Sequence, residues 1–72
     1  MMNAKIGMAV RYTIDTDEGR LTLAGQIVLA RHGSNADLVV HRIMDGGAVH
    51  TYLVEDVPYS VDETSGTWCG AI

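Results

Sequence analysis

Two long stretches rich in Leu, Ile and Val, joined by a polar connection, constrain this chain more than any other feature. They fill residues 21–44, which read LTLAGQIVLARHGSNADLVVHRIM and contain no proline. Aliphatic runs of this kind between turn signals are typical of β-strands, and proline would remove a donor from the hydrogen-bond ladder. We therefore predict a hairpin at the centre of a small sheet, with strands over residues 20–31 and 38–44 and a connecting loop over residues 31–37.

The flanking segments predict three more strands. Apolar and polar residues alternate over residues 5–15, which indicates a half-buried strand. A fourth strand is expected over residues 49–57 and a short fifth strand over residues 67–72. The sequences DTDEG at residues 15–19 and DGG at residues 45–47 supply the Asp and Gly residues that tight reversals need.

Five short strands, no helical periodicity and no internal repeat predict an all-β fold. We expect one domain over residues 1–72, built as a small five-stranded antiparallel barrel or sandwich of the SH3-like type. A meander that completes its core only in a dimer is the alternative. Gly25 is a candidate β-bulge that reverses the alternation midway along the second strand.

Chain length and cysteine content favour association with further copies. A chain of 72 residues buries only roughly 60% of its unfolded surface, so its core is marginal. Cys69 is the single cysteine, which excludes an internal disulfide, and three scattered histidines do not form a structural zinc set. The two central strands are also apolar on both faces. We predict a homo-oligomer with residues 21–44 as the subunit interface.

The formal charge of −4 argues against nonspecific nucleic-acid binding, which requires many Lys and Arg residues. The N-terminal sequence MMNAKIGMAV has no sustained apolar run and therefore does not resemble a secretory signal. The longest apolar segment is far shorter than a membrane span. A lone thiol fits a reducing compartment, so we expect a cytoplasmic protein without a membrane partner.

The sequence contains no recognisable catalytic or metal-binding set. No serine lies in a strand-to-helix elbow, and a pairing of Cys69 with His41 or His50 is less typical of a lone cysteine than burial as a small apolar residue. The histidines are candidates to face each other across the DGG turn, but a metal would lack further ligands. The DTDEG turn departs from a calcium loop. We predict a protein that is not an enzyme and has no cofactor or metal.

Several polar and aromatic side chains suit a small anionic ligand. A phosphate-bearing molecule needs a few convergent donors and a planar partner for its base, even when the net charge is negative. The predicted ligand-binding residues are Arg11, Tyr12, Arg31, His32, Arg42, Tyr59, Ser65, Thr67 and Trp68. Each of these residues also has a purely structural alternative. Tyr12 and Trp68 would then belong to the core, and the arginines would be solvated surface residues. We expect replacement of Arg31 and His32 to abolish binding without loss of folding.

Five short motifs follow one another over most of the chain. They are V-R-Y at residues 10–12, A-G-Q-I-V at 24–28, D-L-V-V at 37–40, V-P-Y at 57–59 and G-T-W at 66–68. This order resembles small phage- and prophage-encoded β-barrel proteins with the pattern V-x-Y, A-x-x-I-V, D-L-x-V and G-T-W. After Trp68 the sequence C-G-A-I replaces the further aromatic residue and polar tail of that pattern.

The resemblance implies a function in the cytoplasm of a bacterial host. Some small phage β proteins form oligomers and sequester cyclic or ADP-ribose-derived nucleotide signals of bacterial defence, so a non-enzymatic nucleotide-sequestering protein is our first expectation. The alternative is a protein-interaction or virion structural module that acts through an exposed strand edge.

Overall fold

The structure is a computed structural model that describes residues 4–71. Its strands are β1 (Ala9–Thr16), β2 (Gly19–Ala30), β3 (Ala36–Ile43), β4 (Val49–Val57) and β5 (Thr67–Gly70), with a 3-10 turn at Asp45–Gly47. The all-β prediction and all five predicted strands are confirmed. β1 begins later than expected, because Gly7 adopts a φ of 87° and turns the chain before it. The predicted end of the fifth strand at residue 72 lies outside the described residues.

The strands form one antiparallel sheet in the order β4-β3-β2-β1-β5, so the predicted β2–β3 hairpin lies at its centre. The predicted closed barrel or sandwich is not formed, because the edge strands β4 and β5 are not paired along a ladder. The chain that leaves β4 meets β5 only at an isolated bridge, where the Trp68 N–H donates to Pro58 O at 3.0 Å. Asp56, with a φ of 52°, and Pro58, which lacks an N–H, end β4 before a ladder can form.

One face of the sheet, here called the core face, carries the buried apolar cluster, and the opposite side is the outer face. The cluster consists of Val10, Leu23, Ile27, Ala36, Leu38, Val40, Val57 and Trp68. Trp68 is fully buried, and its Nε1–H donates to Ser34 O at 3.0 Å. This bond joins the last strand to the loop between β2 and β3, which closes the core at that end of the sheet.

Gly25 marks a close approach between two strands. It lies in regular register opposite Val40, and a Cβ at this position would be 2.6 Å from Val39 O. The register shift occurs later, between Ile27 and Leu29. The prediction of a bulge at Gly25 was therefore wrong, because this glycine makes room for the β3 backbone and the bulge follows it.

The sheet divides at one end. Pairing between β2 and β3 extends only as far as Ala24 and His41, whereas β2 continues beside β1 to Gly19 and β3 continues beside β4 to Ile43. The β1–β2 and β3–β4 hairpins therefore diverge. The opening between them, here called the fork, has a volume of about 610 Å³ and is lined by residues 16–21 and 42–45.

Candidate functional site

The arginines differ in how their charges are compensated. Three of them form ion pairs: Arg11 with Glu63, Arg20 with Asp15, and Arg31 with Asp37 and Glu55. Within residues 4–71, no carboxylate lies within ion-pair distance of Arg42, which is half-buried on β3. Because a partly buried cation gains more from an anionic partner than an exposed one does, Arg42 is the arginine best placed to bind an added anion.

Arg31 stabilises the fold. Asp37 is only 5% exposed and accepts hydrogen bonds from the Arg31 guanidinium, with Nη2 at 2.9 Å, and from the Asp56 N–H at 2.8 Å. The Arg31 hydrogen bonds, followed by the Asp56 N–H, lower the pKa of the Asp37 carboxyl. Replacing Arg31 would leave a buried carboxylate without its cation, so we now expect a loss of stability in the variant that was predicted to fold normally. His32 lies exposed in the same loop.

A second group of predicted residues lies on the outer face and attaches the segment over residues 61–66 to the sheet. Ser65 Oγ accepts a hydrogen bond from the Asp15 N–H at 3.1 Å, and the buried Thr67 hydroxyl donates to Thr64 O at 2.7 Å. Arg11 contacts Glu63 of this segment. These side chains therefore have internal partners on the opposite side of the sheet from Arg42.

The lone cysteine is covered by the same segment. The Cys69 thiol is 3.5 Å from Arg11 Nη2 and 3.6 Å from Glu63 Oε1, and the residue is 6% exposed. Cys69 and His41 lie in one cross-strand row through Arg11 and Ala24. Three strand spacings separate them, about 14 Å, which is too far for a nucleophile and its base.

Trp68 and Tyr59 pack against each other at the β5 edge. Their ring centroids are 4.9 Å apart in an edge-to-face arrangement, and Trp68 has no exposed surface. This geometry agrees with the alternative that Trp68 is a core residue, because an aromatic ring enclosed on all sides cannot stack on a ligand base. Tyr59 is half-buried beside it.

Tyr12 and Arg42, the remaining predicted residues, lie on the core face at the end of the sheet where β2 and β3 separate. His50 lies directly opposite Arg42 on β4, and Tyr52 follows on the same side of that strand. Burial raises the pKa of the Tyr12 phenol, and the nearby Tyr52 adds a smaller effect in the same direction. Tyr12 on β1 and Tyr52 on β4 are therefore close enough across the core face for their charges to interact, and the same face carries Arg42, which has no ion pair within residues 4–71. We call these four residues the open-end site.

His50 and Tyr52 were not among the predicted site residues. The expectation that His41 and His50 face each other was wrong, because the turn after β3 places His50 opposite Arg42 and His41 opposite Thr51. His41 points to the outer face, with Nδ1 2.9 Å from Thr51 Oγ1. The position of His50 could be found from the sequence only by combining the alternation along β4 with the correct length of this turn.

Acidic residues surround the fork beside the open-end site. Asp17, Glu18 and Asp45 lie at its rim together with Arg20, which is paired with Asp15. Arg42, the guanidinium that has no ion pair within residues 4–71, lies inside this acidic rim, and this arrangement suits a small ligand with few negative charges. The same rim repels a polyanion such as a nucleic-acid backbone.

No family model matches this chain, and neither a curated protein nor a solved structure matches it. Residues 4–71 contain no helix long and apolar enough to cross a membrane. The same part of the chain has no group of three or more His, Cys, Asp or Glu side chains arranged to hold a metal ion.

Proposed function

We propose that this chain is a non-enzymatic binding protein that holds a small, anionic, planar ligand of the nucleotide type at the open-end site. The observation that carries this proposal is the environment of Arg42. This guanidinium is half-buried, has no ion pair within residues 4–71, and lies on the same face as Tyr12, His50 and Tyr52. In this role Arg42 binds the anionic group, His50 is a second donor, and the tyrosines contact the base.

The chemistry of these side chains supports that division of roles. A guanidinium donates two parallel hydrogen bonds to a phosphate or carboxylate, which fixes orientation as well as charge. Stacking of a base on an aromatic ring contributes about 1–3 kcal/mol. Tyr52 is 38% exposed, so a face or edge of its ring is accessible. The acidic rim of the fork favours ligands with one or two charges over longer polyanions.

The resemblance to small phage β proteins supports a specific ligand class. In that setting the ligand is a cyclic or ADP-ribose-derived nucleotide signal of bacterial defence, sequestered in the cytoplasm of the host. Sequestration requires affinity alone, which the guanidinium, imidazole and aromatic rings of the open-end site can supply.

Calorimetric titration with cyclic dinucleotides and ADP-ribose tests the proposal. We expect saturable binding by the wild-type chain and a loss of at least about tenfold in affinity for Arg42→Gln. Arg20→Gln is the matched control, because it removes the same charge at the fork from an arginine already paired with Asp15. The control should retain affinity within about twofold. Absence of binding by folded wild-type chain, or equal losses in both variants, contradicts the proposal.

A second candidate function is a protein-interaction or virion structural module. The observation that favours it is the outward edge of β4, which has no strand partner within residues 4–71 and carries the exposed Val49 and Leu53. Extended peptides add to such edges through backbone hydrogen bonds. A protein partner at this edge would be lost in Leu53→Lys and retained in Arg42→Gln, whereas nucleotide binding should be lost in Arg42→Gln.

A further inference from the structure

Over residues 49–54, the outer edge of β4 lacks the charges and the proline that normally prevent edge-to-edge pairing. Residues 49–54 contain no proline, no lysine and no other formally charged side chain. Val49 is 57% exposed and Leu53 is 54% exposed on the outer face, and Ile43 beside them on β3 is 75% exposed. Native sheets usually protect a long edge with charges, proline or a covering segment, so an unprotected apolar edge indicates a binding surface.

We propose that this edge pairs with β4 of a second copy of the chain, in antiparallel orientation about a two-fold axis at Thr51. The product is a continuous ten-stranded sheet made from two five-stranded sheets. A symmetric partner suits this edge because an isologous interface needs a self-complementary surface. The pairing does not require a ligand and therefore stands apart from the proposed function.

The sequence of β4 limits the register of such a pair. Residues directly opposite each other in antiparallel strands point to the same face, so outer-face residues must oppose outer-face residues. A centre at Thr51 places Val49 opposite Leu53 twice on the outer face, and His50 opposite Tyr52 twice on the core face. Glu55 then lies beyond the paired residues, level with Gly47 in the turn of the second copy, so no carboxylates oppose each other.

Centres further along β4 are less favourable. A centre at Tyr52 places the Glu55 carboxylate opposite the apolar Val49. A centre at Leu53 limits the pair to residues 51–55, because the φ of 52° at Asp56 turns the chain towards β5, whereas a centre at Thr51 allows pairing over residues 48–54. The backbone and the distribution of apolar side chains therefore select the same register.

The proposed dimer joins the two outer-face apolar strips, each formed by Val39, Ile43, Val49 and Leu53. It also brings the two open-end sites next to each other, because His50 of each copy lies opposite Tyr52 of the other. If the proposed function is correct, a ligand in one site is adjacent to aromatic and imidazole groups of both copies.

Sedimentation velocity over micromolar to millimolar chain concentrations tests the dimer. We expect a monomer–dimer equilibrium for the wild type and at least about tenfold weaker association for Leu53→Lys, because each interface then contains two edge lysines. Val61→Lys is the matched control, since Val61 is 71% exposed and lies beyond β4 in the chain segment that leads to β5. A strictly monomeric wild type, or equal association of all three chains, overturns the proposal.

Cysteine cross-linking tests the register. In the proposed pairing the two copies of residue 51 are directly opposite, so Thr51→Cys should form a disulfide-linked dimer under mild oxidation. Leu53→Cys should not, because its two copies are four residues apart along the strands, roughly 13 Å. The wild type controls for the buried Cys69. Cross-linking at residue 53 in place of residue 51 rejects the Thr51 register. Ligand titration of Leu53→Lys separates failure of the dimer from failure of the proposed function.

Discussion

Gly25 is the residue at which the smallest change should have the largest structural effect. A Cβ there would lie 2.6 Å from Val39 O and 2.9 Å from Val40 Cγ1, and the backbone oxygen cannot move away without disturbing the β2–β3 ladder. We expect Gly25→Ala to destabilise the fold by about 1–3 kcal/mol. Thermal unfolding followed by circular dichroism should show a Tm lower by roughly 4–24 °C.

The neighbouring residue provides the control for Gly25. Ala24 is exposed on the opposite face, so Ala24→Ser adds a side-chain atom where there is space. This variant should stay within about 0.5 kcal/mol of the wild type. Equal stability of Gly25→Ala and wild type would contradict the close approach between β2 and β3.

Asp37 gives the stability of the chain a defined dependence on pH. Hydrogen bonds from Arg31, then from the Asp56 N–H, hold its pKa below the ordinary value. At a pH between that lowered pKa and the unfolded pKa of about 3.9, the Asp37 carboxyl is protonated in the unfolded chain but not in the folded chain. The contribution of Asp37 is therefore complete above about pH 5 and is lost as the pH falls through the lowered pKa.

Asp37→Asn should consequently lower the Tm at neutral pH, and the gap between variant and wild type should narrow as the pH falls from about 5 to 3. Asp62→Asn changes the same charge at an exposed position and controls for the general effect of removing a carboxylate. Melting curves at closely spaced pH values measure the gap. A gap that widens on acidification would show that Asp37 is not stabilised in its charged form.

At the scale of elements, the segment over residues 61–66 acts as a cover for the β1–β5 pair. Glu63 of this segment contacts both Arg11 and the Cys69 thiol, and the thiol is almost fully buried. We expect wild-type Cys69 to react with a thiol reagent at least about tenfold more slowly than in denaturant, because the reagent needs an exposed thiolate. Glu63→Ala should increase the rate in the folded state.

Val61→Ala is the control for this prediction, since Val61 belongs to the same segment but is mostly exposed. Its reaction rate should equal that of the wild type. Equal rates for the wild type, Glu63→Ala and Val61→Ala would show that the sheet itself protects Cys69 and that the covering segment does not contribute.

The strands were predictable from the sequence, whereas the shape of the sheet was not. Alternation and turn residues are local, so they located β1 to β5 and the central hairpin. Closure depends on how β4 ends, and the fork depends on where β2 and β3 separate, both of which are set by long-range geometry. Trp68 illustrates the limit, because its hydrogen-bond acceptor, Ser34 O, lies 34 residues away in the chain.

The candidate site was predictable only in part, for a related reason. Tyr12 and Arg42 were chosen for their chemistry and lie in the open-end site, but His50 and Tyr52 depend on the length of the turn after β3. The other predicted arginines could not be separated from Arg42 by sequence. Their ion pairs with Glu63 and Asp37 form only in the folded chain.

For the whole molecule, the charge of −4 predicts that salt acts in opposite directions on the two proposed interactions. Two chains of like charge repel each other, and added salt screens that repulsion, so the dimer should become tighter. An Arg42–anion contact is weakened by the same screening. Sedimentation and calorimetry between low and moderate salt measure the two trends. Parallel trends would mean that one of the two surfaces has been assigned the wrong chemistry.

The fork also has a consequence for local motion in the native state. A central strand is normally the last part of a sheet to open, because hydrogen bonds hold it on both sides. In this chain β2 is central, yet its residues 19–23 are paired on one side only, like those of an edge strand. Amide protons that face the fork should exchange with solvent without global unfolding, which hydrogen-exchange measurements can check. The end of β2 next to the open-end site should therefore open more readily than the rest of the core.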